Sequence, residues 1–230
     1  MAITLYDLCG GDRDVRFSPY CWRIKMALAH KGLDVTTVPT RFSDIAAIGD
    51  GFSPTVPVID HDGKMVQESW DIACYLEENF ADRPTLFGGP GGQAISRFVV
   101  GWADSVLTGA VATRMVGDIV AKLDAEDVAY FVESRVKRFG KPLADVQAGR
   151  EDRAADFRNI LAPIRQVLRS QPFIGGQSPL YADYVVFGTL QWPRVASAFQ
   201  LLEADDPVAV WFERCLDLHD GLGRSMAASQ

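Results

Sequence analysis

The chain has 230 residues, of which 48% are hydrophobic, and a formal net charge of -7 at neutral pH. Acidic and basic residues are interspersed without a basic stripe that could follow a phosphate backbone, so we expect no nucleic-acid partner. The sequence contains neither a run of about eighteen uncharged apolar residues nor a basic N-terminal segment followed by a long apolar run, so we expect no membrane span and no signal peptide.

Strand and helix signals alternate in the N-terminal third of the chain. Residues Ile3 to Leu8 alternate in the manner of a strand, and the segment from Asp34 to Val38 is rich in β-branched residues. A helix is predicted between them, because Ser18 and Pro19 form a pair typical of an N-cap and a first helical position and Gly32 is typical of a helix end. These elements predict a β-helix-β unit.

A hairpin and a second helix follow a polar, glycine-containing loop. The pattern predicts a strand from Val56 to Asp60, a turn from His61 to Lys64 and a partner strand from Met65 to Gln67. Ser69 then caps a helix that we expect to run to about Phe80. The order of strand, helix, strand, hairpin and helix predicts a compact α/β domain.

The stretch from Ala81 to Gly92 is rich in proline and glycine, and it marks the expected domain boundary. Strand signals vanish beyond it. Five segments carry helical periodicity, namely Gln93 to Ala121, Ala125 to Phe139, Arg150 to Ser170, Tyr181 to Gln200 and Pro207 to His219. We therefore predict an α/β domain over residues 1–84 and an all-helical domain over residues 85–230.

The cysteines and histidines predict no metal site. The four cysteines form no Cys-x-x-Cys pair, which favours free thiols in a reducing, cytoplasmic location. The three histidines have no Glu or Cys partners at the spacing of metal ligands, so we expect His30, His61 and His219 to pack or to lie at the surface.

Ser18 lies where the loop after the first strand enters the first helix. We expect its hydroxyl beside unpaired backbone N–H groups and the positive end of the helix dipole, a setting that favours an anion. A free thiol has a pKa of about 8.5, and such a setting lowers it, so a thiol ligand bound here would be held as a thiolate. The alternative is that Ser18 only caps its helix.

Two further residue pairs have the chemistry to hold a peptide ligand. A cis bond between Val56 and Pro57 would explain a proline at a strand start, and it would leave the backbone of Val56 free to pair with an extended peptide. Glu68 offers a carboxylate to an ammonium group, and Ser69 offers a hydroxyl at a helix N-terminus to a carboxylate. The alternatives are an edge position for the proline and a capping role for the serine.

Taken together and in this order, these three sites resemble the thioredoxin-like domain of the glutathione transferases. The resemblance implies that Ser18 stabilises the thiolate of glutathione, which is the co-substrate. It implies that Val56 pairs with the cysteinyl backbone of glutathione beside cis-Pro57, and that Glu68 and Ser69 hold its γ-glutamyl end. It also implies the architecture of that family, a thioredoxin-like α/β domain followed by an all-α helical bundle, and a homodimer.

The first helix departs from the pattern of the related glutaredoxins. Where those proteins have Cys-Pro-Tyr-Cys, this chain has Ser18-Pro19-Tyr20-Cys21 and so lacks the attacking cysteine. Disulfide exchange is therefore disfavoured, and we expect Cys21 to belong to the core.

A second resemblance lies in the helical domain. Residues 173–176 and 182–184 look like the folding motif of the family, but Leu180 stands where many members have the Ser or Thr of a capping box. We expect backbone N–H groups to satisfy Asp183 instead.

Three segments resemble the bacterial etherase-like and fungal serine-type branch of the family: Ser18 to Lys25, Asp145 to Arg153 and Asp217 to Arg224. That branch includes enzymes that cleave lignin β-aryl ethers, which implies thiolate attack on a carbon that carries an aryloxide leaving group next to a ketone. An apolar pocket for an aromatic substrate is expected, with candidate lining residues Phe17, Tyr20, Trp102, Met115 and Trp192. Each of these five could equally be an ordinary core residue.

Other interpretations stay open at this level. A transferase-like fold with a retained glutathione site could be a carrier of hydrophobic ligands, or a regulatory protein. A glutathione-dependent reductase would need a reactive cysteine, for which Cys9 and Cys21 are the candidates. Whether Arg41 and Trp22 contact glutathione is also open.

Overall fold

A small mixed sheet forms the first layer of the molecule. In the computed structural model, which describes residues 2–229, β1 (Ile3–Leu8) pairs in parallel with β2 (Val35–Thr40) and antiparallel with β3 (Val58–His61). The strand β4 (Lys64–Gln67) pairs antiparallel with β3, so the order is β2-β1-β3-β4. Pro57 precedes β3 rather than opening it, because proline has no N–H to donate to a ladder.

Two helices belong to this α/β layer, α1 (Pro19–His30) and α2 (Ser69–Asn79). The side chains of α1 at helical spacing, Cys21, Ile24 and Leu28, are all fully buried. The observed elements agree with the order predicted from the sequence, with ends that differ by one or two residues.

The rest of the described chain is helical, which confirms the predicted fold class of an α/β domain followed by a helical domain. Among the helices of residues 2–229, none combines the length and the apolar character needed to cross a membrane. The helices are α3 (Pro90–Trp102), α4 (Thr108–Met115), α5 (Ala125–Phe139), α6 (Leu143–Gln147), α7 (Ala154–Ile160), α8 (Ala162–Leu168), α9 (Tyr181–Ala196), α10 (Pro207–Leu216) and α11 (Leu218–Gly221).

Two of the long predicted helices are interrupted. A π-helical turn over Ala103–Leu107 separates α3 from α4, and a 3-10 turn over Asp118–Lys122 follows α4. The predicted helix from Arg150 to Ser170 is divided into α7 and α8 at Leu161. Pro163 explains the second break, since its ring clashes with a preceding carbonyl and it has no N–H for the helix ladder.

The central helix α9 supports the N-terminal ends of both α1 and α2. Gly188 lies so close to α1 that a Cβ added there would be 2.4 Å from the carbonyl oxygen of Pro19. The Tyr181 hydroxyl donates a hydrogen bond to the carbonyl of Ser69 at 2.8 Å. The fold therefore holds both helix N-termini against one buried element.

Candidate functional site

Ser18 is the N-cap residue of α1. Its backbone is extended, and its Oγ accepts a hydrogen bond from the Cys21 N–H at 3.3 Å. Pro19 follows at the first helical position, where a missing N–H leaves no bond unmade. Because Oγ accepts from its own helix, the hydroxyl hydrogen is left to donate to an anion at the helix N-terminus.

Neither cysteine near Ser18 has the surroundings of a reactive thiol. Cys21 is fully buried, its Sγ lies 3.5 Å from the Leu8 N–H, and burial raises the pKa of its thiol. Burial also raises the pKa of the Cys9 thiol, in spite of the Arg13 guanidinium 3.6 Å from its sulfur. A nucleophilic cysteine needs a lowered pKa, so the geometry argues against the reductase interpretation.

The loop that leads to Ser18 is held by its own side chains. The indole N–H of Trp22 donates to the carbonyl of Arg16 at 2.9 Å, and the Arg16 guanidinium donates to the carbonyl of Arg13 at 2.6 Å. Trp22 is 1% exposed, so its role here is to shape the loop.

The peptide bond between Val56 and Pro57 is cis, as the sequence predicts. Within residues 2–229 neither the N–H nor the C=O of Val56 has a backbone partner. The residue therefore presents a free donor and acceptor just before β3, an arrangement suited to pairing with an extended peptide.

Glu68 and Ser69 lie at the junction of β4 and α2. Glu68 is exposed and has a φ of 66°, which is unusual for a residue other than glycine and is found disproportionately at functional sites. Its carboxylate forms no ion pair with the described part of the chain, residues 2–229. The N-cap of α2 is Glu68, and not Ser69 as the sequence predicted; Ser69 is the first residue of α2 and is buried, so its hydroxyl lies at a helix N-terminus.

The sheet register aligns one end of three strands, to which the segments carrying these three positions are connected. Tyr6, near the end of β1, pairs with Val58 at the start of β3, and Val58 pairs with Gln67 at the end of β4. The chain to Ser18 leaves the sheet there, the cis bond enters there, and α2 starts there. Segments that are distant in the sequence are thereby connected to the same end of the sheet.

The five candidate pocket residues differ in their burial. Phe17 and Met115 are core residues at 2% and 0% exposure, whereas Tyr20, Trp102 and Trp192 are half-buried. Four cavities within residues 2–229 are lined by other residues.

Two structural features near this end of the sheet were only weakly indicated by the sequence. The Gly10-Gly11 pair, directly after a strand, is the one signal that could have indicated a close backbone approach. Asp127 contacts the start of the segment that follows β2, but an acidic residue in the first turn of a helix is commonly explained by the helix dipole. In the described residues 2–229, no group of three His, Cys, Asp or Glu side chains is arranged to hold a metal ion.

Comparisons with known proteins agree with this fold. Residues 14–84 match the model of the glutathione S-transferase N-terminal domain, and residues 94–217 match a model of the C-terminal domain of the same proteins. The glutathione S-transferase-like protein ustS of Aspergillus flavus is 28% identical over 200 residues, which cover 74% of this chain and 71% of that protein.

Solved structures share the fold over nearly the whole chain. A glutathione S-transferase of Ceriporiopsis subvermispora, crystallised in complex with glutathione, has a TM-score of 0.78 at 23% identity, covering 99% of this chain and 98% of that one. Glutathione transferase GSTFuA3 of Phanerochaete chrysosporium has a TM-score of 0.76 at 24% identity, covering 98% of this chain and 94% of that one. At these identities the likeness concerns the fold alone.

Proposed function

The chain belongs to the glutathione S-transferase family, and from that premise we propose that it transfers glutathione to an electrophilic carbon with Ser18 stabilising the thiolate. The observation that supports this proposal is the shared end of the sheet, from which β1 leads toward Ser18, β3 follows the cis Val56-Pro57 bond and β4 leads into the Glu68-Ser69 pair. Each of the three offers a group that a tripeptide thiol needs.

Glutathione is proposed to lie in an extended conformation across this end of the sheet. Its cysteinyl backbone pairs with the free N–H and C=O of Val56. Its γ-glutamyl ammonium group meets the unpaired carboxylate of Glu68, and the adjoining carboxylate meets the Ser69 hydroxyl and the N-terminus of α2. Its sulfur then lies at the N-terminus of α1, where Ser18 donates a hydrogen bond.

The electrophile is proposed to be hydrophobic and aromatic, and an aryl ether next to a ketone is the candidate that the etherase-like segments support. The thiolate forms a C–S bond with the attacked carbon while the C–O bond breaks, and the aryloxide that leaves takes a proton from water. One glutathione is consumed for each turnover. Tyr20, Trp102 and Trp192 are half-buried and available to line this site, and Phe17 and Met115 would support it from the core.

Three further proposals concern the domain boundary, the oligomeric state and the location of the protein. We place the domain boundary between residues 84 and 85, in the stretch between α2 and α3. We also propose a homodimer, which is supported by large apolar side chains at the surface of α3: Ile95 is 65% exposed and Phe98 is 72% exposed. The free state of the four cysteines supports a cytoplasmic location.

Replacement of Ser18 tests the proposed chemistry. We expect Ser18→Ala to lower kcat by about 100-fold, the typical cost of one lost donor to a developing or stabilised anion, with little change in glutathione affinity. Steady-state rates with an aryl halide and with a β-aryl ether ketone are measured beside calorimetric glutathione binding. Ser170→Ala, which removes an exposed hydroxyl bonded only to its own helix, is the matched control.

The outcomes separate the interpretations. If the wild type binds glutathione but converts neither electrophile, the carrier interpretation replaces the transferase. If the wild type binds no glutathione, the proposed site is wrong. A Cys21→Ala variant with full activity would remove the reductase interpretation.

A further inference from the structure

A short stretch of the helical domain, residues 122–127, contacts the loop that leads to Ser18. The Gly11 N–H donates to the carbonyl of Lys122 at 2.8 Å. A Cβ added at Gly10 would be 2.3 Å from that oxygen, and one added at Gly11 would be 2.7 Å from the carboxylate of Asp124. The two backbones therefore meet directly, which only glycine permits on the loop side.

The same stretch also forms hydrogen bonds with the segment that starts after β2. The carboxylate of Asp127 accepts hydrogen bonds from the Phe42 N–H at 3.1 Å and from the Ser43 N–H at 2.9 Å. These are the first amides of the 3-10 turn Phe42–Asp50, which have no partner inside that turn. Asp127 is 2% exposed, so its carboxylate is a buried anchor that depends on both bonds.

Arg41 adds ion pairs to the contact between the segment after β2 and residues 122–127. Its guanidinium bonds Asp44 at 3.1 Å within its own segment, and it reaches Asp124 at 3.2 Å and Glu126 at 3.1 Å in the helical domain. Hydrogen bonds from Arg41 lower the pKa of Asp44 to about 2. Because three carboxylates surround its guanidinium, Arg41 is occupied within the protein and is a poor candidate for binding the carboxylate of a ligand.

The two segments that contact residues 122–127 both lead to residues that are proposed to bind glutathione. The loop ends at Ser18, which is proposed to bind the sulfur of glutathione. The segment after Arg41 continues to Val56, which is proposed to pair with the cysteinyl backbone of glutathione. The contact with residues 122–127 therefore sets these positions relative to the helical domain, where the second substrate is proposed to bind.

We propose that Asp127 and Arg41 are positioning residues that hold the segment leading to Val56 against residues 122–127, the stretch of the helical domain that also contacts the Ser18 loop, so that the thiolate faces the second substrate. This inference rests on the proposed function and deepens it. Neither residue touches the reacting atoms. Their effect is expected in the rate of the transfer step, because small displacements of a bound nucleophile lower rates strongly.

Asp127→Asn is the first variant, since the amide keeps the size of the side chain but turns one acceptor into a donor facing an N–H. We expect kcat to fall by about tenfold while the calorimetric Kd for glutathione stays within about threefold, because glutathione is held by the α/β domain alone. Amide hydrogen exchange should become faster in residues 41–50, whose first amides donate to Asp127. Glu133→Gln, the same charge change at an exposed site on α5, is the matched control.

A double-mutant cycle tests the Arg41 contact. The variants Arg41→Gln and Asp124→Asn are combined, and the loss in kcat of the pair is expected to be at least about fivefold smaller than the product of the single losses. Rates are measured well below the melting temperature of each variant, so that unfolding does not contribute. Independent, multiplicative losses would overturn the role of Arg41.

The outcomes keep this inference distinct from the proposed function. A wild type that binds no glutathione contradicts the proposed function and the positioning role together. A wild type that turns over, with an Asp127→Asn variant of equal kcat or one whose kcat and glutathione affinity fall in parallel, contradicts the positioning role alone.

Discussion

At the scale of single residues, the Tyr184 hydroxyl lies between two histidine rings. It is 2.7 Å from Nδ1 of His30 and 3.1 Å from Nε2 of His219. Nε2 of His30 lies 3.0 Å from the carbonyl oxygen of Thr85, so this nitrogen carries the proton and donates. Nδ1 of His30 then accepts from the Tyr184 hydroxyl, and Nε2 of His219 donates to the oxygen of that hydroxyl. The sequence predicted scattered histidines, whereas the fold joins two of them through α9.

This chain of hydrogen bonds predicts sensitivity to acid. Burial, with a smaller contribution from His30, lowers the pKa of His219 to about 4, and burial lowers the pKa of His30. Between pH ~6.5 and ~4 the histidines of the unfolded chain, with a pKa of about 6.5, bind protons that the folded protein does not bind. The free energy of unfolding is therefore largest above pH ~6.5 and decreases as the pH drops toward ~4. Both rings are partly exposed to solvent, so we expect a loss of about 1 kcal/mol, or roughly 2–4 °C in Tm.

His219→Asn tests this expectation, because asparagine tolerates the φ of 52° found there. Melting is followed at pH 7.5 and pH 5.0, and the variant should lose less stability between the two than the wild type. His61→Asn, which removes a histidine bonded to Tyr75 instead, is the control. An unchanged difference for His219→Asn would show that His219 does not account for the acid sensitivity.

At the scale of elements, the start of α9 depends on one buried carboxylate. Asp183 is fully buried and accepts hydrogen bonds from the N–H groups of Ile174, Gly175 and Leu180 at 2.7, 2.8 and 3.0 Å. It also accepts one from the Trp211 indole at 2.9 Å. The expectation that backbone N–H groups satisfy this residue, without the usual Ser or Thr cap, is confirmed.

Asp183→Asn is therefore expected to destabilise the protein strongly. The amide removes the charge that strengthens four hydrogen bonds and turns a donor toward groups that are themselves donors, at a cost of about 3 kcal/mol. We expect a fall of roughly 6–12 °C in Tm by calorimetry. Asp205→Asn, an exposed position, should leave Tm unchanged, and equal effects for the two variants would contradict the anchoring role.

At the scale of the whole molecule, the surface of α3 and of the turn after it carries large apolar side chains. Phe98 is 72% exposed, Ile95 is 65% exposed and Val106 is 41% exposed. Monomeric proteins seldom leave such side chains side by side in water, and a second copy of the chain would cover them in the proposed homodimer.

Phe98→Glu is expected to weaken the homodimer by at least about tenfold in Kd, because it places a charge in an apolar interface. Sedimentation equilibrium over a range of protein concentrations measures the change. Val210→Glu alters an apolar side chain of 50% exposure on α10 and should leave association unchanged. A wild type that sediments as a monomer at all concentrations would contradict the homodimer.

Features built from neighbouring residues were predictable. The strand alternation, the Ser18-Pro19 start of α1 and the hairpin depend on local backbone preferences, so the α/β order could be predicted from the chain. The glutathione-binding roles of Ser18, Val56 and the Glu68-Ser69 pair stay predictions. The register that aligns Tyr6, Val58 and Gln67 follows once those strands pair.

Features that join distant residues were decided only by the tertiary structure. The contacts of Arg41 with Asp124 and of Asp127 with Phe42 span about eighty residues, and the meeting of His30 and His219 at Tyr184 spans the whole fold. The candidate pocket residues likewise sorted into buried and half-buried sets through packing that no local pattern encodes. Local conformational preference acts over a few residues, whereas burial and charge pairing depend on which elements the complete fold places side by side.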